Sequence, residues 1–121
     1  MKRTCLLVDD NGPIRGFLKD LLQPENFDAL EAENAPQAFK LIQKLQGNFD
    51  LIVTDIRMPG EMSGLDLAFA VRTAFPAIPV IVISGYEYRD LAKQVLGQFE
   101  LIEKPFKPGD FLAVVKKLSL R

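Results

Sequence analysis

A chain of 121 residues is the size of one domain with a true core. At 48% hydrophobic, 26% charged and net charge −1, it carries no overall field for nucleic acid or an anionic membrane. No apolar run approaches the roughly 20 residues that span a bilayer, and the four-residue run behind Lys2-Arg3-Thr4 is too short for a signal-peptide core. The single cysteine, Cys5, forms no internal disulfide and reads as a small strand hydrophobe, so the expected location is the reducing cytoplasm. Histidine is absent, which removes the usual neutral-pH base and the commonest transition-metal ligand. Any chemistry therefore runs on carboxylates, hydroxyls and lysine, and the chain cannot itself carry a phosphohistidine.

Short apolar runs alternate with helix-period stretches, the pattern of a parallel sheet wound with helices. The first strand is Thr4–Asp9. Asn11 caps a helix whose stripe is Ile14, Phe17, Leu18, Leu21 and Leu22, with Pro13 in its first turn and Pro24 ending it. Asp28–Ala32 is a weak second strand. Asn34 and Pro36 open a second helix burying Ala38, Leu41, Ile42 and Leu45, and Gly47 stops it. Leu51–Asp55 is the third strand; a Met58-Pro59-Gly60 turn leads to Gly64 and a helix running to Phe75. The fourth strand, Val80–Ile83, leads into Ser84. A short helix over Tyr88–Leu96 precedes the fifth strand, Glu100–Glu103. Pro108 opens a last helix burying Phe111, Val114, Val115 and Leu118, and its lysines (Lys116 and Lys117) read as a solvated face. The expected architecture is (βα)5, one domain over 1–121 with no effector domain attached.

Each strong strand ends in a functional group: Asp9 and Asp10, Asp55, Ser84, and Lys104 after Glu103. The carboxyl edge is where open parallel sheets bind ligands. Two like charges about 4 Å apart repel by roughly 4 kcal/mol at an effective dielectric near 20, so three gathered acids protonate one member or take up a cation. With oxygen donors only, that cation is Mg²⁺, or Mn²⁺. Beside a lysine and a hydroxyl, such a cation makes a receptacle for a phosphoryl group. Asp55, alone on its strand, is the candidate nucleophile, and the Asp9-Asp10 pair suits metal. Ser84 can donate to a phosphoryl oxygen; Lys104 can bridge that oxygen or pair with Asp55.

Asp9-Asp10, Asp55, Met58-Pro59 with Gly64, Ser84-Gly85 and Lys104-Pro105-Phe106 together resemble the response-regulator receiver domains of two-component signalling, from Thr4 to Leu118. The resemblance implies a flavodoxin-like fold, strand order 2-1-3-4-5, and transfer of a phosphoryl group to Asp55 from a histidine kinase or phosphotransfer protein. It implies Mg²⁺ held by Asp10, Asp55 and the backbone carbonyl of Arg57, with Asp9 acting through water, and Ser84 and Lys104 reading the phosphoryl group. It also implies a cis Lys104–Pro105 bond. Such a domain is a signalling module, acting as switch or relay with self-phosphorylation and slow autodephosphorylation only. Neither direct nucleic-acid binding nor a membrane partner is expected, and the downstream protein is unspecified.

Three departures stand out. The Met58–Gly64 turn is one residue longer than the family's commonest, with Ser63 for a frequent aspartate, as in receivers attached to hybrid sensor kinases; a neutral loop insertion accounts for it equally. Leu101 replaces the aromatic ring that swings inward in the family, with Tyr86 and Tyr88 nearby. Arg57 and Tyr86 stand where the family flanks attacking water, and their bulk predicts a long-lived aspartyl phosphate. Two other classes compete. A pseudo-receiver docking module is disfavoured by the intact acid, serine and lysine set. A small Mg²⁺-dependent phosphatase is disfavoured by Arg57, which stands where such enzymes carry a second acid.

Overall fold

Strands whose both faces are covered read as unbroken apolar runs, and this sheet is built from such runs. The computed structural model describes residues 2–57, 60, 62–95 and 97–119. Its elements alternate: β1 (Arg3–Val8), α1 (Gly12–Leu22), β2 (Phe27–Ala32), α2 (Ala35–Lys44), β3 (Leu51–Asp55), α3 (Gly64–Ala74), β4 (Val80–Ser84), α4 (Arg89–Gln94), β5 (Glu100–Glu103) and α5 (Pro108–Ser119). All pairings are parallel and the order is β2-β1-β3-β4-β5, the flavodoxin-like doubly wound arrangement expected from the sequence.

Alternation along each strand divides the core in two. Leu6, Val8, Ile52 and Val82 face Ala38 and Ile42 of α2 and Leu67 and Val71 of α3. Cys5, Leu7, Val53, Ile81 and Ile83 face Leu18 and Leu22 of α1 and Phe111, Val115 and Leu118 of α5. Each fully buried side chain of this kind contributes about 1.5–3 kcal/mol, so the two layers hold the sheet rigid under its carboxyl edge. The expected cysteine role stands: Cys5 is buried in β1, and burial pushes its thiol well above the ordinary range.

The caps follow sequence logic. Asn11 Oδ1 accepts from the Ile14 N–H at 3.0 Å, and Asn34 Oδ1 accepts from the Gln37 N–H at 2.8 Å. Gly47 ends α2 in the left-handed region, and a Cβ there would strike the ring of Phe75. Some boundaries differ from expectation. β2 begins at Phe27, whose ring is buried against α1 and α5. Leu41, Leu45 and Val114 pack only partly buried at the core margins. A 3-10 turn takes Tyr86–Tyr88, so α4 starts at Arg89, and the expected end at Leu96 lies outside the described residues. Met58, Pro59 and Glu61 of the expected long turn lie outside them too.

Candidate functional site

The carboxyl edge of the sheet opens into a cavity of about 370 Å³, lined by Asp9, Asp10, Asn11, Asp55, Arg57 and Lys104 among others. Asp55 terminates β3 and is 8% exposed. Its Oδ2 accepts from Lys104 Nζ at 3.1 Å, and its Oδ1 accepts from the Arg57 N–H at 3.4 Å. Lys104 follows β5, its own N–H donating to the Ser84 carbonyl at 2.8 Å, and the Lys104–Pro105 bond is cis as expected. Its ammonium thus crosses the end of β4 to reach the acid on β3.

Asp9 is 3% exposed. Its N–H donates to the Ala32 carbonyl at 3.2 Å, continuing the ladder to β2, and its Oδ1 accepts from the Asn11 N–H at 2.9 Å. Burial pushes its carboxyl up to about 6; the Asn11 N–H pulls it down, the Asp55 charge raises it, and Lys104 opposes the rise. Asp10 is exposed at the rim. Gly64 secures the floor. Its N–H donates to the Ile56 carbonyl at 3.1 Å, and a Cβ at this position would fall on the backbone carbonyl of Asp55. Only glycine lets α3 approach so closely. A reciprocal capping box follows, with Asp66 N–H donating to Ser63 Oγ at 3.0 Å and Ser63 N–H to Asp66 Oδ2 at 2.9 Å. Ser63, a departure from the family in sequence, is therefore a helix cap.

Not every expected residue lies in the cavity. Ser84 is fully buried and its hydroxyl donates to the Gly85 carbonyl at 3.1 Å; Gly85, not Ser84, forms the wall. Tyr86 is turned outward, 72% exposed, with the Arg89 guanidinium over its ring at 4.3 Å. This corrects the expected Arg57–Tyr86 shield: the 3-10 turn aligns Tyr86 with Arg89 three residues on, and Glu87 and Tyr88 occupy the wall. Arg57 Nη1 lies 3.8 Å from Glu87 Oε1, an exposed pair at the mouth. Leu101, paired with Val82, and Tyr88 are both half-buried against the α2–α3 side of the core. Sequence reasoning also missed Arg15. Its Nη1 donates to the Asp9 carbonyl and its Nε to Glu31, 16 residues away, a separation that leaves no local signal.

The donors suit a hard cation. Among the described residues no three acids are gathered to enclose an ion unaided. Mg²⁺ does not ask for that: it is held by one or two carboxylates and keeps several waters. The carboxylates of Asp10 and Asp55 line the cavity beside Arg57, with buried Asp9, whose charge is disfavoured by burial, among them, and such an oxygen-donor lining is compatible with this demand.

The family model "Response regulator receiver domain" matches residues 5–116, and the chain belongs to that family, the receivers of two-component signalling. It is 35% identical over 118 residues to the transcriptional regulatory protein ResD of Bacillus subtilis, covering 96% of this chain and 48% of ResD. It is also 35% identical over 124 residues to part of histidine kinase P4 of Formosa agariphila, covering 97% of this chain and 8% of that protein. The crystal structure of the receiver domain of NtrX from Brucella abortus matches with a TM-score of 0.84 at 29% identity, covering 94% of this chain and 96% of that one. The chain thus spans about half the length of ResD and a small part of the kinase. Among the described residues no helix is long and apolar enough to cross a membrane.

Proposed function

We propose that Asp55 accepts a phosphoryl group from a phosphohistidine of a histidine kinase or phosphotransfer protein, making the domain a switch or a relay. The observation that carries this reading is the Lys104–Asp55 contact of 3.1 Å at the floor of the acid-lined cavity. An Asp55 oxygen forms the P–O bond as the P–N bond breaks, and the electron pair leaves with the donor imidazole. Lys104 then turns from the carboxylate to a phosphoryl oxygen. Ser84 reaches the same group by rotating its hydroxyl off the Gly85 carbonyl.

Asp10, Asp55 and the Arg57 carbonyl would hold Mg²⁺ or Mn²⁺, with Asp9 acting on it through water. When bound, the cation neutralises the charge on the transferred oxygens. The module is non-enzymatic beyond self-phosphorylation and slow autodephosphorylation, works in the cytoplasm, and passes its state to a downstream protein rather than to nucleic acid or a membrane. The intact pairing of Asp55 with Lys104 disfavours a pseudo-receiver.

Mass spectrometry after acetyl phosphate and Mg²⁺ tests the reading. One phosphoryl mass is expected on Asp55 in the wild type and none in Asp55→Asn. An undiminished adduct in the Asp55→Asn variant overturns it.

A further inference from the structure

We infer that Arg15 is a positioning residue for the acidic end of β1, acting through the backbone carbonyl of Asp9. The inference rests on the reading that the Asp9-Asp10 end of β1 helps hold a divalent cation. Arg15 lies in α1, yet its side chain is only 14% exposed. Its Nη1 donates to the Asp9 carbonyl at 2.6 Å, and its Nε donates to Glu31 Oε1 at 2.9 Å. Glu31 also lies 3.8 Å from Lys19 Nζ.

The reason is the length of the ladder. Asp9 N–H still pairs with the Ala32 carbonyl, but β2 ends at Ala32, so the next rung, which would serve the Asp9 carbonyl, falls where the chain turns away. The Arg15 fork takes the place of the missing strand. A guanidinium keeps its charge when buried, so it needs a counter-ion, and Glu31 supplies one from the end of β2. The Asp9 carbonyl and the Asp10 N–H belong to one planar peptide. Fixing that carbonyl therefore fixes the plane from which both side chains depart. The Asn11 N–H holds the Asp9 carboxylate, and Arg15 holds the peptide between the two acids.

Two physical effects of removing Arg15 have opposite signs. Losing a positive charge beside an acid cluster, by itself, tightens cation binding. Releasing the peptide loosens the oxygen donors, and outer-shell losses of this kind weaken metal binding about tenfold or more. Positioning therefore predicts weaker Mg²⁺ binding in Arg15→Gln, against the electrostatic trend. Arg15→Lys keeps the charge but lacks the two-pronged fork, and is expected to bind more weakly than wild type as well. Glu31→Gln, which leaves the guanidinium with a neutral partner, is expected to show a smaller loss.

The test is calorimetric titration of Mg²⁺ into the unphosphorylated full chain at pH 8, each variant checked for a wild-type circular dichroism spectrum. Weaker binding in both Arg15→Lys and Arg15→Gln bears the inference out, and if Arg15→Gln does not fold, weaker binding in Arg15→Lys and Glu31→Gln does so. Binding equal to or tighter than wild type in a folded Arg15 variant overturns it while leaving the phosphoacceptor reading intact. A wild type that neither takes up Mg²⁺ nor gains a phosphoryl group on Asp55 removes both together.

Discussion

Asp9 is the residue whose replacement is most informative, because its buried carboxyl is held at about 6 against an ordinary value of 3.8. In the folded protein Asp9 binds its proton up to about pH 6; the unfolded chain releases it near 3.8. Between those values the folded state holds more protons, so stability falls as pH rises. The contribution of the neutral acid is fully present below pH 3.8 and is lost as pH passes 6. Above that, ionised Asp9 costs the cation-free protein about 2–3 kcal/mol, at roughly 1.4 kcal/mol for each tenfold change in acidity. Asp9→Asn substitutes a neutral side chain of the same shape that still accepts from the Asn11 N–H. In a domain of this size the gain corresponds to roughly 8–12 °C in Tm. Thermal melts in chelator from pH 4 to pH 8 should show the Asp9→Asn variant and wild type nearly level at the acid end and the variant well ahead at pH 8. A gap that is the same at every pH, or a wild type that melts higher at pH 8, refutes the reasoning.

Lys104→Met removes the cation at 3.1 Å from Asp55 and leaves that buried acid without a counter-charge. The gross attraction is about 5 kcal/mol at an effective dielectric near 20, and exposure of the lysine reduces the net loss to about 1–3 kcal/mol. A carboxyl NMR titration should find Asp9 titrating at still higher pH, since Lys104 opposes its rise. Gly64→Ala drives a methyl onto the Asp55 carbonyl, so α3 must move off the sheet; a loss of about 1–3 kcal/mol in urea unfolding is expected, with slower phosphorylation of Asp55. Arg57→Ala opens the cavity mouth and should speed loss of the Asp55 phosphoryl group up to about fivefold, the range of one exposed ion pair. Tyr86→Ala, on an outward-turned ring, should leave that rate unchanged within about twofold, or the outward placement is not the working one.

The framework is legible because local chemistry and topology agree. Val-, Ile- and Leu-rich runs of four or five residues ending in Asp or Ser are too short for helices and read as buried strands with a polar edge, and Asn11 and Asn34 announce their helices from the residue just before each, accepting from the N–H three residues on. β2 starts one residue earlier than its pattern suggests, because it is an edge strand interrupted by Asp28 and Glu31, and Phe27 reads as loop beside Asn26. The Ser63–Asp66 box is present in sequence as Ser-x-x-Asp but is overshadowed by the family's preference for aspartate at Ser63. Side-chain direction is the illegible part. Nothing local separates a Ser84 hydroxyl aimed at a ligand from one spent on Gly85, or a Tyr86 ring over a cavity from one stacked on Arg89. Arg15 and Glu31 meet only because α1 folds back beside β2.

The contact of Lys104 with Asp55 joins residues 49 apart in the chain. The lysine comes from beyond β5, a strand that follows both acid-bearing strands in the chain. A nascent chain that has made β1 and β3 but not β5 therefore holds its acids together with no ammonium among them. Placing β5 is the step that brings the neutralising Lys104 ammonium, so until then the charge of the acids opposes closure of the first half. The same arrangement makes β5 the element whose local opening would leave buried Asp55 without its counter-charge, tying the electrostatics of the pocket to the cooperativity of the whole sheet.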